Sequence, residues 1–139
     1  MKTKILFLCT GNSCRSQMAE GWCRHLRPDQ FAAASAGIEK HGLNPLAVKV
    51  MAEAGVDITP QYSKLTNELG DQEFDYVITV CGDAADNCPY FPAKTQVVHF
   101  GFDDPPALAA GAENEEQALA HYRRVRDEIR DYIEQLFLD

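Results

Sequence analysis

Ile5-Leu6-Phe7-Leu8-Cys9-Thr10-Gly11-Asn12-Ser13-Cys14-Arg15-Ser16 is the stretch on which the fold turns. The apolar run Ile5 to Leu8 reads as a buried strand, and Met18, Ala19, Trp22 and Leu26 recur behind it at helical spacing. The local expectation is therefore a strand ending at Cys9, a short polar loop, and a helix starting near Ser13. Such a turn brings a thiol, a run of backbone N–H groups, a helix N-terminus and an arginine to one point. That combination suits a tetrahedral oxyanion held beside a nucleophilic sulfur.

Further elements follow from local signals. Phe31 to Ala36 reads as a second strand ending before Gly37, and Asn44 as an N-cap with Pro45 at the first helical position, the helix stopping at Gly55. Ser63 to Leu69 reads as a short helix closed by Gly70. Tyr76 to Val80 and Gln96 to Phe100 read as strands, Gly101 to Pro106 as a loop, and Glu115 to Phe137 as a long helix. That helix shows one apolar face (Tyr122, Val125, Ile129, Ile133, Leu136), with Arg123, Arg124 and Arg126 on its solvated side. Alternating strands and helices of these lengths predict an α/β fold: one domain, residues 1–139, with a central parallel sheet of about four strands flanked by helices on both faces. Ligands of such sheets bind beyond the carboxyl ends of the strands, where Cys9, Cys81 and Asp104 all fall.

A chain of 139 residues with 45% hydrophobic and 24% charged residues has an ordinary globular composition. No apolar run reaches the ~20 residues of a membrane span, and the N-terminal apolar stretch is short for a signal peptide. The expectation is a cytoplasmic monomer. A net charge of -8 without a basic stripe argues against nucleic acid, and means that an anion must be drawn in by a local positive field.

Within the loop, the short residues between Cys9 and Arg15 let the backbone curl into a nest of N–H groups. Nest and helix dipole both favour thiolate at Cys9. Thr10, Gly11, Asn12, Ser13, Cys14, Arg15 and Ser16 form the expected anion-binding set. Arg15 holds two oxygens with its planar fork, Ser16 donates to the sulfur, and Asn12 supplies left-handed backbone. Cys14 shapes the loop and Cys23 packs. The competing reading makes Cys9 a buried strand-end cysteine and Arg15 a surface side chain.

These residues resemble the phosphate-binding loop of the low-molecular-weight protein tyrosine phosphatases, with Asp104-Pro105 similar to that family's general-acid element. The resemblance runs over essentially the whole chain and implies the phosphatase fold. Asp104 rather than its neighbour Asp103 is the expected acid, because it directly precedes Pro105; a carboxyl beside an oxyanion tends to stay protonated.

Cys81 and Cys88 distinguish among the chemistries such a loop can start. Ester hydrolysis through a thiophosphate needs one sulfur, whereas reducing an oxyanion needs two electrons. No flavin or nicotinamide fingerprint and no cluster of metal-ligand spacing is present, so no bound cofactor or metal is expected and thiols are the available donors. Together with Thr10, Ser13 and Asp104-Pro105, these cysteines make the chain resemble the thioredoxin-coupled arsenate reductases. That resemblance implies a relay. Cys9 attacks arsenate, Cys81 attacks Cys9 to release arsenite and leave a transient Cys9–Cys81 disulfide, and Cys88 moves the disulfide to Cys81–Cys88, where thioredoxin reduces it. Disulfide formation brings Cα atoms within about 7 Å, while a helix would hold residues 81 and 88 about 10.5 Å apart. The segment must therefore loop or change shape, which Gly82 and Pro89 suit.

Pro106 and Ala107 follow the Asp-Pro pair where tyrosine phosphatases typically carry an aromatic residue, which weakens the aryl-phosphate reading. Some reductases of this family hold potassium near the loop; Asn12, Glu20 and Ser35 match three of its ligands, and Lys64 stands at the fourth, where its ammonium would replace the cation. His41, His99 and His121 read as ordinary surface or edge residues, and His25 on the first helix is no better placed for a metal. Arsenate is the expected substrate, with phosphate and sulfate as analogues and weak phosphatase activity alongside. The rival readings are a low-molecular-weight tyrosine phosphatase and a redox-controlled anion- or protein-binding module.

Overall fold

The computed structural model describes residues 2–80 and 92–136. Cys81 and Cys88, with Gly82 and Pro89, lie outside the described residues, as does Phe137.

Four strands, β1 (Thr3–Leu8), β2 (Phe31–Ala36), β3 (Tyr76–Thr79) and β4 (Gln96–His99), form one parallel sheet in the order β2-β1-β3-β4. β1 runs beside both β2 and β3, Leu8 being level with Ala36 on one side and Thr79 on the other. Its apolar residues are continuous because both faces are covered. Ile5 and Phe7 face one core together with Met18, Trp22, Val125 and Ile129. Leu6 and Leu8 face a smaller one with Val77, Leu69 and Phe74.

The helices are α1 (Arg15–Leu26), α2 (Pro45–Glu53), α3 (Pro105–Ala109) and α4 (Glu115–Glu134). The stretch expected as a helix from Ser63 is a single 3-10 turn, Thr66–Leu69, closed by Gly70 at a φ of 62°. Its Leu69 covers the second face of the sheet. α3 begins at the end of the expected loop Gly101 to Pro106: Pro105 at its first position brings a φ already suited to a helix and no N–H to satisfy. α4 buries Tyr122, Val125, Ile129 and Ile133, each worth about 1.5–3 kcal/mol relative to exposure. Arg126 is not on the solvated side. Its side chain is only 13% exposed, and Nη1 donates to the Val50 carbonyl at 2.9 Å, tying α4 to α2. No described helix is long and apolar enough to cross a membrane.

Candidate active site

The strand ends set the position of the loop. Cys9 N–H donates to Ala36 O and Val80 N–H to Leu8 O, so β1, β2 and β3 finish level and the chain from Cys9 to Cys14 curls out beyond them. α1 begins at Arg15, two residues later than expected. Cys14 keeps a φ of -126° and ψ of -80°, outside helical geometry, because the loop needs its length to curl. Asn12 takes the left-handed backbone expected of it, φ 48°.

The nest forms because partners outside the loop turn its carbonyls outward. Thr10 O accepts from the N–H groups of Ile38 and Glu39, each at 3.0 Å, Gly11 O from His41 N–H at 3.1 Å, and Ser13 O from Asn44 N–H at 3.0 Å. Ser63 Oγ reaches the carbonyls of Gly11 and Asn12 at 3.0 and 2.8 Å, and Gln17 Nε2 donates to Asn12 O at 3.0 Å. With carbonyls held away, the N–H groups are left for an anion. Ser63, Gln17 and the segment from residue 38 to 44 were not legible in the sequence as supports of the loop. Gly37 allows that segment its approach: a Cβ there would stand 2.6 Å from Thr10 O and 2.8 Å from Cys9 O.

Arg15 is 3% exposed. Its Nη1 donates to the Phe102 carbonyl at 3.1 Å, and Nη2 lies 3.7 Å from Asp104 Oδ1. The N–H groups of Phe100 and Phe102 bond to Thr79 O and Val80 O, which fastens the segment before α3 to the end of β3 and delivers Asp104 to the cleft. Asp103 points elsewhere, to Arg124 at 3.1 Å. Cys9, Arg15 and Asp104 line one cleft of about 560 Å³, with Pro106 at the position that follows the acid and its proline.

Cys9 departs from the expected acidity. Burial pushes its thiol above the ordinary value, and Asp104 adds to the rise; Arg15 and the backbone N–H groups of Thr10 and Ser16 pull it down without overcoming burial. The loop's positive field is present, but a sulfur 5% exposed has lost the water that would stabilise its charge. Ser16 reaches Cys9 through its backbone N–H, while its hydroxyl accepts from Asn12 Nδ2 at 2.9 Å. Cys14 is raised further by burial, and Cys23, wholly buried, is pushed up to about 12. Both suit packing.

Ionised Asp104 and thiolate Cys9 repel each other, which adds to the rise of the Cys9 thiol. Asp104→Asn is expected to shift the pH midpoint of Cys9 alkylation by iodoacetamide downward, because it removes a negative neighbour that holds the thiol protonated. An unchanged or raised midpoint would show that the two groups are uncoupled.

Behind the loop, Lys64 N–H donates to Asn12 Oδ1 and Lys64 Nζ to Ser35 O, both at 2.9 Å, and Ser35 Oγ donates to Glu20 Oε1 at 2.6 Å. The structure thus brings Asn12, Glu20, Ser35 and Lys64 together with the ammonium among them. Burial lowers the Lys64 pKa and Glu20 offsets part of that fall. His41 is exposed, as expected, and it also lines the cleft with Glu39.

A buried cysteine at a strand end, a loop whose carbonyls are bonded outward, an arginine and a carboxyl share one cleft, on a parallel sheet of the phosphatase type. The chain belongs to the low molecular weight phosphotyrosine protein phosphatase family, whose profile matches residues 4–139. It is similar to the arsenate reductase of Bacillus licheniformis, 54% identical over 132 residues that cover 95% of this chain and 93% of that one. Among solved structures, an arsenate reductase in the phosphate binding state superposes with a TM-score of 0.77 at 31% identity, covering 96% of this chain and 95% of that one. An arsenate reductase in oxidized state gives 0.77 at 30% identity, covering 98% and 96%.

Proposed function

We propose that the protein reduces arsenate to arsenite through Cys9, Cys81 and Cys88, with thioredoxin as the external electron donor. The observation that carries the reading is the nest around Cys9, closed by Arg15 and faced by Asp104, in a chain 54% identical to an arsenate reductase across almost its whole length.

Arsenate enters the nest with two oxygens on the Arg15 fork. The Cys9 thiolate bonds to arsenic and one oxygen leaves, taking its proton from the Asp104 carboxyl. A protonated Asp104 also carries no charge to oppose the thiolate. Cys81 thiolate then attacks the Cys9 sulfur. The sulfur–sulfur bond forms, the sulfur–arsenic bond breaks, and its electron pair stays on arsenic, which becomes arsenite. Cys88 attacks Cys81, releasing Cys9 as thiolate and leaving Cys81–Cys88, whose two electrons are restored by the thioredoxin dithiol. The roles of Cys81 and Cys88 rest on their place in the sequence and on the family resemblance.

The test is arsenate turnover with thioredoxin, thioredoxin reductase and NADPH. Cys88→Ser is expected to release a single arsenite per protein and then stop, and Cys81→Ser to release none. Turnover that survives both substitutions sinks the relay. Aryl-phosphate hydrolysis without arsenate reduction in the unaltered protein would instead make it a phosphatase, and neither activity a redox-controlled binding module. A weak phosphatase side activity is expected of the nest, so low ester hydrolysis alone does not decide between them.

A further inference from the structure

We propose that His41, paired with Glu39, is a second cationic group of the oxyanion cleft, so that anion affinity rises when its imidazole takes up a proton. The proposal rests on the cleft being an oxyanion site, as argued above.

The ring is built into the cleft wall. His41 N–H donates to Gly11 O at 3.1 Å, which roots the residue on the anion loop. The imidazole lies so close over Gly11 that a Cβ there would meet Nδ1 at 2.2 Å. Gly11 thus leaves room for the ring, and any larger residue in the nest would displace it. Nε2 faces Glu39 Oε1 at 3.1 Å. Both side chains line the cleft that holds Cys9 and Arg15.

Charge gives the pair its use. Among the described residues lining the cleft, Arg15 is the permanent cation and Asp104 and Glu39 are carboxylates, in a chain whose net charge is -8. A doubly charged oxyanion entering past Glu39 meets repulsion unless that carboxylate is neutralised. Imidazole is the side chain whose ordinary titration falls between about pH 5 and 8. As imidazolium, His41 satisfies Glu39 and adds positive potential beside the nest.

The charged and titratable groups around it are few. Glu39 and Lys40 flank it in its own segment, Lys40 being engaged by Glu68 at 3.1 Å. Cys9 and Cys14 belong to the nest, Arg15 comes from α1 and Asp104 from the start of α3. Tyr122 of α4 accepts from Asn44 Nδ2 at 3.1 Å. Because the His41 side chain is 54% exposed, solvent screens its field, and the expected effect is about fivefold in affinity rather than orders of magnitude.

Sulfate is the suitable probe, being a tetrahedral dianion whose charge is constant across this range. Its affinity is measured by calorimetry on full-length Cys9→Ser protein, which removes the thiol's own titration, at about pH 5.5 and about pH 8. With His41 present, affinity is expected to rise about fivefold more on acidification than in Cys9→Ser/His41→Gln. Cys9→Ser/His41→Lys, carrying a permanent cation, is expected to keep the higher affinity at both pH values. Equal pH slopes with and without His41, or no gain from lysine, overturn the proposal while leaving the oxyanion site intact. Absence of sulfate binding in every protein overturns the oxyanion reading and this proposal with it.

Discussion

Cys9→Ser is expected to lower arsenate reduction by about four orders of magnitude or more while leaving the fold and oxyanion binding in place. A serine hydroxyl is far less acidic than a thiol, and oxygen cannot pass an electron pair to arsenic by exchange with a second sulfur. The structural cost is small because the substitution is nearly isosteric. The surroundings of Cys9 already favour the neutral form, so a neutral hydroxyl meets the same 5% exposed pocket without an added charge. Urea unfolding is expected to shift by about 1 kcal/mol or less. Sulfate is expected to bind about as tightly as to the unaltered protein, since a neutral hydroxyl replaces a thiol whose neutral form is favoured. Arsenite production measured alongside the unfolding curve separates loss of chemistry from loss of fold. Reduction persisting within tenfold of the unaltered rate would remove Cys9 from the mechanism.

Arg15→Lys is expected to reduce kcat/KM by about two to three orders of magnitude although the charge is retained. The guanidinium does two jobs that a point cation cannot combine. Its planar fork presents paired donors to an anion, and its Nη1 holds Phe102 O at 3.1 Å, fastening the segment that carries Asp104. Lysine gives up the fork, and its amine cannot serve nest and carbonyl together. A buried carbonyl losing its partner costs about 1–3 kcal/mol, so the unfolding midpoint is expected to fall as well. Steady-state kinetics with arsenate and a urea titration check both parts. A loss under tenfold would mean that charge, and not geometry, is what Arg15 contributes.

Much of the architecture was legible because its signals are local. The apolar run before Cys9 and the strand Phe31–Ala36 are where the sequence places them. Asn44 caps α2, accepting from the N–H groups of Leu46 and Ala47 at 2.9 and 3.2 Å, a bond that follows from having a short acceptor side chain one residue before proline. Asn12 is found at a positive φ for an equally local reason. Boundaries were less legible. α1 starts two residues late because Cys14 obeys the loop and not the helix, and Gly101 to Pro106 runs into a short helix at Pro105, where a loop was expected.

The amino acids alone dictated the kinds of groups and their order along the chain: a cysteine, five short residues, an arginine, a remote pair of cysteines and an Asp-Pro step. Those follow from residue type and short-range backbone preference. Three matters waited for the packed chain. Asp104, already expected over Asp103 from its place before Pro105, acquires its partner Arg15 only in the fold, where Arg124 of α4 takes Asp103. The nest opens to an anion because Ser63, Gln17 and the segment after Gly37 hold its carbonyls outward. And burial pushes the Cys9 thiol above its ordinary value, against the pull of Arg15 and the backbone N–H groups, because the surrounding fold strips its solvent. Desolvation and long-range hydrogen bonding depend on residues far apart in the chain, so they exist only once the sheet has brought those residues together.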